Sequence, residues 1–189
     1  MRLSPVLTPD DLPAPELAAA RLDGELFALD GGFCPVDEIE QPLHRALALH
    51  AGHSGKLIGE QLSAAWVWGA LDSAPSHQQF CVATGARVSH TSARWMTVRE
   101  VVIETDEIAA LGSALVTTPA RTVADLVRFA DSFGPREAEV VARLAAMAGL
   151  SLDDTVRSFQ RRRNLPNKRR AVERLALCAL PVAALLSAD

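Results

Sequence analysis

Eight of the nineteen basic residues fall in one short window near the end of the chain: Arg157, Arg161, Arg162, Arg163, Lys168, Arg169, Arg170 and Arg174. Within that window only Glu173 opposes them. Arg157 and Arg161 are one helical turn apart, as are Arg170 and Arg174, and Asn164-Leu165-Pro166 joins the two helical stretches. Such a corner gathers positive charge in one place. The chemistry it offers is neutralisation of several phosphates, with affinity that falls steeply as salt rises. Phe159 is the one aromatic in the window, so base stacking is not indicated. The other uses of such a corner are a solvated helix end and a docking patch for an acidic surface.

Arg121 and Asp125 form the second constellation. Four residues apart in VTTPARTVADLVRF, they share one face of a helix. They read as a structural ion pair that orients the helix. An enzyme would have to combine them with a residue such as His90. The five histidines are scattered. His44, His50 and His53 lack a third partner at metal-ligand spacing. Cys34, Cys81 and Cys178 show no CxxC and imply neither a disulfide framework nor a zinc site. No nucleophile elbow, P-loop, Rossmann glycine set or HExxH is present. No cofactor is expected.

Charge is polarised along the chain. The net charge of the 189 residues is −4, yet residues 151–189 carry +4 and residues 1–150 carry −8. The molecule as a whole is therefore no general polyanion binder, and any nucleic-acid contact must be local. The prolines at 5, 9, 13 and 15 break any leader-like apolar run, and the apolar tail Leu175–Leu186 is too short to span a bilayer. These features predict a cytoplasmic protein with no membrane partner.

The elements that must position these residues follow from periodicity and turn chemistry. Met1–Leu12 is Pro-rich and expected to be poorly ordered or extended. Pro13–Arg21 reads as a short helix, and Glu25–Leu29, Asp30-Gly31-Gly32 and Phe33–Val36 as a hairpin. Helix and hairpin together resemble the back half of a winged helix, with Arg21 as the phosphate or base contact. Helices are expected at Leu43–Ala51 and at Ser63–Ala70, the second capped by Ser63. Trp66 and Trp68, two apart, are not expected to face the core together. Gly55–Gly59 reads as a turn and Ser89–Arg94 as a polar loop. Strands are expected at Gln79–Ala83, Met96–Glu104, Ile108–Leu111 and Ala114–Thr117. Thr118 caps the helix that carries Arg121 and Asp125, and three helices follow, at Pro135–Ala148, Ser151–Arg163 and Asn167–Ala179.

The order of these motifs resembles the AbiEi-like antitoxins and transcriptional regulators common in actinobacteria. The likeness rests on ELAAARLDGELFALDGGFCPV, then the Ser-Ala-Ala helix Ser63–Ala65, then MTVREVVIE, then Val116–Leu126. It implies an N-terminal winged helix that binds DNA and represses its own promoter, and a C-terminal domain needed for antitoxicity. The partner it implies is a nucleotidyltransferase-like toxin encoded next door, with which no stable complex need form. It carries over no catalytic residues. At the front the chain departs from the pattern, because the first helices of a winged helix are missing.

The expected fold is α+β. A truncated winged-helix-like helix–hairpin occupies residues 1–40. An antitoxin-like domain occupies 41–189, with a mixed α/β core around a small sheet at 41–130 and a helical tail at 131–189. The expected function is a non-enzymatic, antitoxin-like regulator that contacts DNA phosphates through Arg157, Arg161, Arg162, Arg163, Lys168, Arg169 and Arg170, with Arg21 as a further contact. The alternative is a protein-interaction module that docks an acidic partner or a second copy of itself, giving a homo-oligomer.

Overall fold

The computed structural model describes residues 4–53, 57–86, 94–161 and 163–179. Arg162, His90, most of the loop Ser89–Arg94 and the tail from Leu180 lie outside the described residues. The fold is α+β, with seven α-helices and two small sheets among the described residues.

Of the two expectations for this segment, poor order or an extended chain, residues 4–12 are extended where Leu7 bridges to Phe33. Leu7 exchanges backbone hydrogen bonds with Phe33, at 2.8 and 2.9 Å, and Val6 is buried. Gly32 makes this docking possible: a Cβ there would lie 2.4 Å from Cγ1 of Val6. The segment leads into α1 (Ala14–Leu22), which starts with a proline and ends before Gly24. The hairpin β1 (Leu26–Leu29) and β2 (Gly32–Pro35) follows, turning at Asp30, whose φ is 46°. Leu7, Leu17 and Leu26 form a small core of their own. Val6, Leu29 and Cys34 belong to the main core.

The main sheet has the order β5-β4-β3-β7-β6. Its central strand, β3 (Ile58–Gly59), is two residues long and lies in the stretch whose glycines read as a turn. Two residues are too few for alternation to register. Gly59 is needed because Leu49 packs against it; a Cβ would lie 2.9 Å from Cδ2 of Leu49. β3 runs antiparallel to β4 (Gln78–Ala83) and parallel to β7 (Ala114–Thr117). β4 pairs in parallel with β5 (Met96–Val101), and β6 (Ile108–Leu111) closes the other edge against β7.

Helices α2 (Pro42–Leu49) and α3 (Gln61–Val67) pack on this sheet and on each other. Ser63 does not cap α3. The helix begins two residues earlier, and the buried Ser63 hydroxyl accepts the backbone N–H of Gln79, tying α3 to β4. Trp66 and Trp68 both find interior partners, because α2, β4 and β7 cover more than one face of α3. Trp66 is fully buried, and Trp68 donates its indole N–H to the carbonyl of Thr117 at 2.8 Å.

Helix α4 (Pro119–Phe129) is the hub. Thr118 accepts the N–H of Arg121, the N-cap its sequence implies. Val123, Leu126 and Val127 are fully buried. Against α4 lie α3, α5 (Pro135–Met147) and α7 (Lys168–Cys178), and α6 (Leu152–Arg161) packs on α7.

Candidate nucleic-acid interface and the neighbouring cleft

The basic window folds into the end of α6, the connection Arg163–Asn167 and the first turn of α7. Arg161, Arg163, Arg169 and Arg170 are exposed. Arg157 pairs with Asp154 at 2.5 Å and Arg169 with Glu173 at 2.9 Å, both pairs solvent-exposed. Exposed pairs of this kind contribute little and exchange readily for a phosphate. The junction is braced from below: Arg128 donates to the carbonyl of Pro166, and Lys168 reaches the carbonyl of Gln160. Arg162 lies outside the described residues. Arg21 stands exposed on α1, whose main packing partner is β1, so it does not join this corner.

The two helices differ in their charge order. α6 carries Asp153 and Asp154 in its first turn and Arg161 in its last, the arrangement its dipole favours. α7 reverses it. Lys168, Arg169 and Arg170 occupy its first turn with no acidic residue among them. Its N-cap, Asn167, is in the left-handed conformation and makes no side-chain capping bond. Three cations therefore crowd one helix start, at the positive end of the helix dipole, an arrangement that an anion relieves.

Arg174 leaves the basic set. Its guanidinium turns inward, donates to the carbonyls of Leu126, Val127 and Ala130, and lies 4.8 Å from the Phe133 ring centroid. It caps the C-terminus of α4. Desolvation, together with the Arg170 charge, lowers its pKa from the ordinary arginine value. The i, i+4 spacing from Arg170 looks like a basic stripe, and only the tertiary fold distinguishes a cap from a surface charge.

Beneath α4 runs a ladder of buried charge. Arg121 donates Nε to Asp125 at 2.8 Å, pairs with Glu107, and gives both terminal nitrogens to the carbonyl of Val102 at 3.2 Å. Asp125 is wholly buried and one of its oxygens has no partner among the described residues. Next to it Arg99 makes two hydrogen bonds of 2.6 Å to Glu60. Burial pushes the Glu60 carboxyl up, and the bonds and charge of Arg99 oppose that rise. Nothing in the spacing of Glu60 and Arg99 announces this pair; it follows from β3 and β5 flanking β4.

A cleft of about 1070 Å³ opens between the end of β5, the outer face of α4 and α6. Arg121, Phe129, Asp154 and Phe159 are among its walls. The Phe129 ring has two guanidiniums over it, Arg99 at 4.7 Å and Arg128 at 4.4 Å from its centroid. No group of three or more metal-ligating side chains gathers among the described residues. Burial pushes the Cys34 and Cys178 thiols up to about 11 and raises that of Cys81 as well. No described helix is long and apolar enough to cross a membrane.

Residues 58–177, which hold the sheet, α4 and the basic corner, match the family model of the AbiEi antitoxin C-terminal domain. The chain belongs to that family. The AbiEi domain thus spans β3 to α7, while the helix and hairpin at the front lie outside the match. The fold is similar to the crystal structure of the RV2827C protein from Mycobacterium tuberculosis, with a TM-score of 0.51 and 19% identity. That likeness covers 97% of this chain and 76% of the other. No curated protein matches the AbiEi chain.

Proposed function

We propose that the chain is a non-enzymatic antitoxin of a toxin–antitoxin system that also regulates transcription, contacting DNA phosphates through the α6–α7 corner. Membership of the AbiEi antitoxin family supports the antitoxin role. The DNA contact is carried by one observation, the first turn of α7. Three cations stand there with no acidic residue in the turn, at the positive end of the helix dipole, at a local cost that a phosphate would relieve. The contact residues are Arg157, Arg161, Arg163, Lys168, Arg169 and Arg170, with Arg162 completing the run in sequence. Arg21 and the helix–hairpin at residues 1–40 supply a second, weaker contact, as a reduced winged helix would. The functional partner is a nucleotidyltransferase-like toxin, and the setting is the cytoplasm of an actinobacterium.

The non-enzymatic part rests on Arg121 and Asp125. Asp125 is sealed under Arg121, and Arg121 is spent on Asp125, Glu107 and Val102, so the pair straps α4 to the strand end. No acid or base of that pair faces the cleft with a free lone pair or proton.

The test is duplex binding as a function of salt. Log affinity should fall linearly with log salt with a slope of about −3.6 to −5.4 if roughly four to six phosphates are neutralised. Reversal of Arg161, Arg163 and Arg170 to Glu should abolish binding at low salt. Binding that survives the triple reversal overturns the assignment to this corner. No binding to promoter duplex at low salt overturns the DNA reading and leaves the corner as a docking patch for an acidic protein.

A further inference from the structure

We propose that the outer edge of β5, where it borders the cleft, is a docking slot for an extended, basic segment of a partner protein, which adds to the sheet as a sixth strand. β5 is an edge strand of the five-stranded sheet. Gln78 donates its backbone N–H to Trp95 and Thr84 donates its own to Val101, so Trp95, Thr97, Arg99 and Val101 turn their backbone groups toward β4. By the alternation of the ladder, Met96, Val98, Glu100 and Val102 turn theirs outward. Arg121 fills the last of these positions by donating to the Val102 carbonyl. No described residue pairs with the backbone of Val98 or Glu100 on the open side. An edge open among the described residues is a template for another strand. Six residues give it a length of about 20 Å.

Arg99 points inward to Glu60 and so leaves the open side of the strand without its charge. The edge holds no proline, no lysine and no bulge, and Val102 stands 75% exposed at its end. Opposite the end of the strand, from Arg99 on, α6 supplies a second wall across the cleft, so that end of an added strand would sit in a slot. Charge selects the occupant. Glu100, Glu104 and Asp106 line the slot and form no ion pair with the described residues. Of the three arginines that line the slot, Arg99 is committed to Glu60 and Arg121 to Asp125 and Glu107, while Arg128 bonds the Pro166 carbonyl and lies against Phe129, so three carboxylates face one such cation. The net field an incoming strand meets is acidic, which suits lysine or arginine alternating with apolar residues. Backbone bonds would supply affinity and the carboxylates selectivity. The slot does not depend on the DNA reading.

Two probes test it: an eight-residue capped peptide of alternating Lys and Val, and its Glu and Val counterpart. In the full chain, amide hydrogen exchange at Val98 and Glu100 should be fast, and at Thr97 and Arg99 slow. Saturating Lys-Val peptide should slow Val98 and Glu100 at least about tenfold, the signature of new ladder bonds. The Glu-Val peptide should leave them unchanged. Val98→Pro removes an outward N–H at a position an edge strand tolerates, and should abolish peptide binding by fluorescence anisotropy while leaving duplex affinity unchanged. Glu100→Lys with Asp106→Lys should weaken the Lys-Val peptide about tenfold or more. Should Val98→Pro fail to fold, the exchange measurement on the unaltered chain decides alone. Equal binding of both peptides, unchanged exchange at Val98 and Glu100, or protection that grows with the concentration of the chain alone overturns the proposal; the last would show that a second copy fills the edge.

Discussion

Glu60 and Arg99 meet across β4 in a two-pronged ion pair, with the carboxylate side chain 1% exposed and the guanidinium 25%. Both bonds measure 2.6 Å. The pair fastens the start of α3 to the edge strand β5 and holds Arg99 against Phe129. Its strength lies in completeness. Breaking one side leaves a charge without a partner in a place water does not easily reach.

Glu60→Gln should therefore destabilise the fold by about 3 kcal/mol. Glu60→Leu combined with Arg99→Met should cost less than either single change, because no buried charge is orphaned. Denaturant melts of the four proteins in a double-mutant cycle check this. Additive losses would mean the two residues act independently.

Arg174 should prove structural by the same reasoning. Arg174→Met removes three donors from the last carbonyls of α4 and should cost about 2 kcal/mol. It should leave the affinity for DNA unaltered once the protein is folded. Thermal melts and duplex titrations of the same variant separate the two effects.

A further expected outcome concerns pH. Burial holds the His50 imidazole below its ordinary value of 6.5, against the pull of the Ala46 and Leu57 carbonyls. The folded state thus prefers the neutral ring, and the unfolded chain takes up the proton first as pH falls. Stability should be full above about pH 6.5 and should decline below it, toward the lower folded value. His50→Gln should remove this part of the slope in melts between pH 5 and 7.5, in roughly the window where an ordinary histidine titrates.

Much of this architecture is legible in sequence, and the failures have physical causes. The helix from Pro119 reads directly because Thr118, Pro119 and the Val123–Val127 stripe all agree. β6 and β7 read to the residue for the same reason. β3 does not, since its two residues are strand only because β4 and β7 flank them. The docking of residues 4–12 is not legible either, because it depends on the burial of Val6 against a distant hairpin. At the candidate interface the charge run is plain in sequence. The inward turn of Arg174 and the uncapped start of α7 are not, because both depend on where α4 and α6 deliver the chain.

The start of α7 also sets stability against affinity. Arg170 is exposed, sits in the first helical turn, and repels Arg174. Arg170→Glu places a carboxylate where the helix dipole favours one and relieves that repulsion. It should stabilise the protein by about 0.5 kcal/mol, the usual worth of such an exposed charge. The same change should weaken duplex binding and lower the salt slope by about one, since one phosphate contact is lost. A residue kept for folding would show the opposite first effect. If Arg170→Glu lowers the melting temperature, the three cations at this helix start have a structural role and the phosphate reading loses its main support.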